Sequence, residues 1–218
     1  MSEFKEALLN YEHIYVFRDY EKFAEFLPGR SEKIVDLGGY VGLYSIRSLG
    51  GSTSARSYIV EANPLLCSYI YWNLRLNKLE NRAKVLCSAV DATSGVGVLY
   101  VGESMVNSSL MREYVEDFSA VKREIRIPKF TLGEILEKTG FPRVDLLKMD
   151  VEGVEEKVLL GSREVLEAFD VEKLLVELHE GYYSFARIRE ALGDMYKMVL
   201  HVDESTPYQG FLYALSRR

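Results

Sequence analysis

Short apolar runs alternate along the chain with segments whose apolar positions recur at helical intervals, the pattern of βαβ units feeding a mostly parallel sheet. The spacing predicts a helical extension over about 2–27, with Leu8, Tyr11 and Tyr15 in step, stopped by Pro28-Gly29. Strands follow at 33–37, 57–61, 83–90, 144–150 and 172–178, with helices at 41–49, 64–77, 153–169 and 182–192 between and after them. Two more strands, 196–202 and 211–215, close the chain. Pro64 suits a first helical turn, and Thr131 with Glu134 three residues on reads as a capping box.

The stretch 91–130 breaks the alternation. It reads as two extended pieces, 96–101 and 123–127, around a polar loop containing Asn107, Ser108 and Ser109, and is expected to form an insertion or lid. With no internal repeat or low-complexity linker, residues 1–218 are expected to form a single domain.

Candidate chemistry gathers at the carboxyl ends of the strands, where open α/β sheets bind ligands. After the first strand comes Asp36-Leu37-Gly38-Gly39-Tyr40-Val41-Gly42. A dinucleotide loop wants G-x-G-x-x-G, but aligning it puts Leu37 at the first glycine, ahead of Gly39 and Gly42. An acidic residue followed by G-x-x-x-G fits Asp36, Gly38 and Gly42 throughout, and a carboxylate suits a sulfonium better than a pyrophosphate. Without a ligand, the same loop would be a tight turn in which Asp36 caps backbone amides. Glu61 ends the second strand, where a carboxylate can accept both hydroxyls of a ribose diol. Asn63 beside it either contacts ribose or caps the next helix. Ser88 and Ala89, with Asp91 as an alternative acceptor, stand where an adenine would lie.

Lys148 and Asp150 are two apart on one strand, as are Glu177 and His179 on the next, so each pair shares a face. Asp150, Lys148, Glu177 and His179 are the candidate catalytic residues, His179 as a general base and Lys148 as either a base or a structural ion-pair partner. Asp150 also belongs to the candidate cofactor shell. A divalent cation held by Asp150, Glu177 and His179 is the less favoured variant, because hard cations usually draw more carboxylates. No metal site is otherwise marked.

Hydrophobic residues make up 48% of the chain and charged residues 28%, a globular balance. The net charge of −6 argues against nucleic acid, and Lys122, Arg123, Arg126 and Lys129 read as a solvated face. No apolar run is long enough to cross a membrane, and the N-terminus lacks a secretory pattern, so the expected localisation is cytoplasmic. Cys67 and Cys87, outside any metal-ligand spacing, are expected to be reduced, buried thiols.

The segment Val144-Asp145-Leu146-Leu147-Lys148-Met149-Asp150-Val151-Glu152-Gly153-Val154-Glu155 resembles the hallmark of FkbM-type methyltransferases, a strand ending in K-x-D-x-E-G before a helix. Val35-Asp36-Leu37-Gly38 with Gly42, Glu61-Ala62-Asn63-Pro64, Val176-Glu177-Leu178-His179 and the Asn107-Ser108-Ser109 loop extend the resemblance over about 33–180, with Ala62 standing where the family usually has proline. The resemblance implies a class I methyltransferase fold: Rossmann-like, doubly wound, with a seven-stranded sheet and one antiparallel strand. It also implies S-adenosylmethionine as donor and O-methylation of a small molecule or sugar. The competing readings are an NAD-dependent oxidoreductase and a non-catalytic nucleoside-binding module.

Overall fold

A computed structural model describes residues 2–202 and 209–218, with the side chains of residues 2–4 left out. Strands β1 (Lys33–Leu37), β2 (Arg56–Glu61), β3 (Ala83–Cys87), β7 (Leu146–Met149), β8 (Lys173–His179), β9 (Tyr196–Val202) and β10 (Gln209–Ser216) make one sheet in the order β3-β2-β1-β7-β8-β10-β9. β10 runs antiparallel to both neighbours and every other pairing is parallel, so one strand alone is reversed. Order reverses at β1, which pairs with β2 on one side and β7 on the other. The crevice outside its carboxyl end is where such sheets take ligands.

β7 is buried along its whole length and alternates between the two faces: Leu147 and Met149 enter one apolar core, Leu146 the other. A central parallel strand covered on both sides has this pattern. The covering helices are α2 (Leu43–Gly50), α3 (Pro64–Leu76), α5 (Leu132–Thr139), α6 (Glu155–Leu160), α7 (Arg163–Ala168) and α8 (Phe185–Leu192). Asn63 caps α3 by accepting from Leu65 N at 3.0 Å, and Thr131 and Glu134 form both halves of the expected capping box on α5.

The secondary structure departs from the sequence reading in four places. The N-terminal helix ends early: α1 (Ser2–Tyr11) passes into a wider turn at Glu12–Phe17, and Arg18 adopts φ +56. That reversal turns Tyr20 inward instead of letting the helix reach Pro28. The third strand stops at Cys87, and Ala89–Val90 form a short strand β4 in a second sheet. That sheet, β4-β6-β5, is built by the insertion, whose strands β5 (Gly95–Val101) and β6 (Arg123–Phe130) pair with each other antiparallel. Between them lies α4 (Arg112–Phe118), a short helix that the sequence pattern did not announce. The helix expected at 153–169 is split at Gly161-Ser162 into α6 and α7.

Cys67 and Cys87 are not free thiols. Their Cα atoms are 6.0 Å apart and the two are joined as a disulfide, tying α3 to the end of β3. Their types and spacing could not reveal this, because only the packing of α3 against β3 brings them within reach.

Candidate active site

β1 delivers its chain into Gly38, whose φ of +78 favours glycine and whose backbone passes directly against Asp150 at the end of β7. Gly38 and Gly39 both donate to Val60 O, at 2.9 and 3.1 Å, which draws the loop over β2. Gly39 and Gly42 face inward: a Cβ on Gly39 would stand 2.4 Å from Ile59 Cγ2, and one on Gly42 would rest on Ile70. Their part is to let α2 and α3 close on the sheet. Asp36 is fully buried beneath the loop, where it accepts from Ser45 Oγ at 2.7 Å and lies 3.4 Å from Lys148 Nζ.

Above that loop opens a cleft of about 670 Å³, continuous with solvent at its mouth. Gly38, Glu61, Ser88, Ala89 and Asp150 line it; Asp36, Gly39, Gly42 and Asn63 do not. The Glu61 carboxylate is held rigidly, one oxygen accepting from Tyr40 N and the other from Asn63 N, each at 2.8 Å. Burial outweighs those two bonds and pushes its pKa up to about 7. Ser88 is fully buried and its Oγ has no hydrogen-bond partner, an orphan that a ligand's polar edge would satisfy. Asp91 is spent elsewhere: Lys129 takes one oxygen at 2.5 Å and Lys157 the other at 2.6 Å. Asn63 likewise acts as a helix cap.

A second and larger cavity, about 1370 Å³ including its open side, adjoins the cleft, and Asp150 and Glu152 line both. Three of the four candidate catalytic residues, Asp150, Glu177 and His179, line it, and Lys148 lies against Asp150 without lining either cavity. Lys148 Nζ donates to Gly38 O at 2.7 Å and sits 3.4 Å from both Asp36 and Asp150 carboxylates. Burial alone would lower its pKa, but those two carboxylates outweigh it and raise it, so the amine stays charged and acts as an ion-pair partner rather than a base. Tyr20 reaches in from the N-terminal segment and donates to Glu177, with Asp150 Oδ2 at 3.4 Å. His179 is 7% exposed, with Nε2 3.5 Å from Glu152 and Nδ1 3.3 Å from Glu155. Burial pulls its pKa down, yet the Glu155 and Glu152 carboxylates hold it well above the ordinary value. Burial also lifts Glu152 to about 8 and Glu177 to about 7. Tyr20, Tyr114, Glu152 and Glu155 are the members of this site that sequence reasoning did not select.

The insertion grips this centre. Tyr114 of α4 donates to Glu152, and Ser109 Oγ donates to Glu152 O at 2.6 Å. Glu155 shapes the same loop from below, accepting from Val151 N at 2.8 Å and Gly153 N at 3.0 Å. Among the described residues, Asp150, Glu155 and His179 are the group whose ligand-type atoms lie within 4.8 Å of one another; the trio expected from sequence had Glu177 in place of Glu155. Since both Glu155 oxygens already serve backbone amides, that trio is a poor fit for a hard cation, which asks for several available oxygens.

Comparison with known proteins decides the family. The model of the methyltransferase FkbM domain matches residues 36–208. The chain belongs to the FkbM methyltransferase family. A further relative, methyltransferase sdnD of Sordaria araneosa, is 28% identical over 158 residues, which is 60% of this chain and 60% of that protein. The chain thus pairs with less than two thirds of that relative's length. Among solved structures, an O-methyltransferase family protein from Burkholderia thailandensis superposes with a TM-score of 0.56 at 11% identity, over 98% of this chain and 58% of that one. The METTL16 MTase domain gives 0.55 at 13% identity, over 97% and 69%. At such identities the superpositions speak to the fold alone, and that fold is the class I methyltransferase sheet. The chain therefore carries a methyltransferase domain of the FkbM type.

Proposed function

We propose that this FkbM-type domain transfers a methyl group from S-adenosylmethionine to a hydroxyl of a small-molecule acceptor, a sugar among the candidates. The observation that carries the reading is the junction of the two cavities at Asp150 and Glu152, which lets a donor in the first meet an acceptor in the second. When bound, S-adenosylmethionine supplies an electrophilic methyl on a sulfonium. Glu61 would accept the ribose hydroxyls, Ser88 and Ala89 would flank the adenine, and Asp150 would contribute negative charge near the sulfonium. In the second cavity His179 and Glu152 share a proton-accepting role: neither is a free base alone, but positive charge placed beside them lowers both pKa values and readies the pair to take the hydroxyl proton. Positioning supplies much of the rest, because displacement on a sulfonium asks mainly for alignment.

Calorimetry tests the donor. S-adenosylhomocysteine is expected to bind at micromolar strength, whereas heat from NADH and none from S-adenosylhomocysteine would favour the oxidoreductase. Glu61→Ala should weaken S-adenosylhomocysteine by about 1 to 3 kcal/mol, the range for hydrogen bonds to a charged group.

The pH dependence follows from Glu61. Below about pH 7 the group is protonated and loses its acceptor character, so affinity should rise with pH through about 7 and level off above. Glu61→Gln should flatten that profile; a wild-type profile that is already flat would remove Glu61 from the ribose.

The insertion acts as a lid in this reading. Hydrogen exchange across α4 and the 104–110 loop should slow when S-adenosylhomocysteine and an acceptor are both bound, and unchanged exchange would argue against a lid.

A further inference from the structure

Residues 18–22 lie ahead of the span that the family model matches, yet they deliver a side chain to the site. Arg18 takes φ +56, an uncommon conformation for a residue with a Cβ, and both neighbours of Tyr20 are tied down beside it. The Asp19 carboxylate pairs with His13 at 2.6 Å and Lys22 at 3.0 Å, and its backbone carbonyl accepts from Tyr213 OH. Glu21 accepts from Arg18 Nε and, across on α2, from Arg47 Nη2, each at 2.8 Å. The Tyr20 ring between them is buried and stands edge-on to Tyr44 and Phe211, each with centroids 5.3 Å away. Anchors on both sides of one residue fix where its hydroxyl points.

That hydroxyl lies between two carboxylates on neighbouring strands. It donates to Glu177 of β8, and Asp150 Oδ2 at the end of β7 is 3.4 Å away. Burial and these two carboxylates push the Tyr20 pKa well above its usual value, so the group keeps its proton and serves as a donor, not a base. Around Glu177 stand Asp150 and Lys148 from β7, Glu152 from the loop after it, and His179 further along β8. His13 faces it from the wide turn, and β10 sets the uncharged Phe211 opposite it in register. Burial and Asp150 disfavour a charged Glu177, while His179, the Tyr20 bond and Lys148 favour one.

We infer that Tyr20 is a positioning residue for the reaction centre: its hydroxyl holds the Glu177 carboxylate beside Asp150 and so sets the negative field on the wall that the donor's sulfonium would face. The inference rests on the cleft being the S-adenosylmethionine site. Two carboxylates beside one hydroxyl repel each other, and a donor of fixed direction between them lets both stay charged. Without that donor Glu177 takes up a proton, and the wall loses a negative charge. A neighbouring charge lost inside a protein is worth about tenfold or more in affinity for a cation.

The test compares S-adenosylmethionine with S-adenosylhomocysteine by calorimetry on the full chain without acceptor, at a pH above the Glu177 value of about 7. The two ligands share their ribose and adenine, so the ratio of their affinities cancels those contacts and reports the field at the sulfonium. Tyr20→Phe keeps the ring with its edge-on contacts, which a thermal midpoint checks, and removes only the donor. The ratio is expected to fall about tenfold in Tyr20→Phe and by a similar factor in Glu177→Gln. With Glu177→Gln already in place, Tyr20→Phe should lower it no further, the mark of a residue acting through another.

An unchanged ratio in Tyr20→Phe overturns the proposal, and so does an equal loss for both ligands, which a merely structural role would give. A second full fall in the Glu177→Gln background also overturns it. If Tyr20→Phe does not fold, the chain carrying isotope-labelled tyrosine decides by NMR. Glu177→Gln is then expected to shift the Tyr20 carbon that bears the hydroxyl and to lower the ratio, and absence of either change overturns the proposal. If neither ligand binds the wild-type chain, the reading of the cleft fails and this inference with it; if both bind and the ratio ignores Tyr20, only the inference fails.

Discussion

Replacing Gly38 by alanine is expected to abolish both stability and cofactor binding. An added Cβ would lie 1.6 Å from the Asp150 carbonyl oxygen and 2.7 Å from its carbon, backbone atoms that no rotamer change can move aside. Either β1 or β7 must shift, and those neighbouring strands build the floor of the cleft. The positive φ adds about 1 to 2 kcal/mol of strain for a residue with a Cβ. Together the clash and the strain should exceed about 4 kcal/mol, enough to unfold many single domains.

A control separates the two causes. Gly140, the cap of α5, also has positive φ, +69, but a Cβ there would meet nothing within 4 Å. Gly140→Ala should therefore show strain alone, about 1 kcal/mol. Denaturant midpoints for the two variants decide the matter: similar losses would mean that the approach of Gly38 to Asp150 is not tight in the folded protein.

The second large effect is expected at His179. His179→Ala should lower turnover by a hundredfold or more, the span usual for a lost proton acceptor, while S-adenosylhomocysteine affinity changes little. The ring lines the second cavity and not the cofactor cleft, so the loss should fall on kcat rather than on cofactor binding.

The pH profile carries a second signature. With Glu152 raised to about 8 and His179 held up by the carboxylates around it, the resting pair keeps its proton at neutral pH, so turnover should climb on the alkaline side and level off once the pair is deprotonated. His179→Ala should shift or flatten that limb. If His179→Ala and Asp150→Ala both keep full turnover, neither residue belongs to the chemistry.

Much of the sheet was legible because its signals are local. β1, β7 and β8 are short apolar runs, and the residues that close them, Gly38, Asp150 and His179, are brought to one edge of the sheet by the parallel order the runs imply. Glu61 and Ser88 were legible for the same reason: a strand's carboxyl end fixes where its next residue can point.

What was missed depends on distance along the chain. Tyr20 meets Asp150 from 130 residues away, and its turn inward depends on the single left-handed residue Arg18. Tyr114 sits on α4, seven residues long, too short for a periodic pattern to stand out. Asp36 was placed against the ligand by its motif, yet it lies one layer below, holding Lys148. The motif records a position in the loop and not the direction of the side chain. Whether 1–218 is a single domain is a reading of the sequence that the shared apolar cores of the sheet accommodate.

Asp150 and Glu152 form a common wall between the two cavities, so the two occupants cannot ignore each other. Thermodynamic reciprocity then applies: by whatever factor a ligand in one compartment alters affinity in the other, the second alters the first by the same factor. In the proposed reaction, methyl transfer would change one term in that coupling, because the donor's positive charge is discharged as the methyl leaves. A sulfonium and its neutral product therefore present the acceptor compartment with different fields, and the wall that aligns the reactants also distinguishes the enzyme before transfer from the enzyme after it.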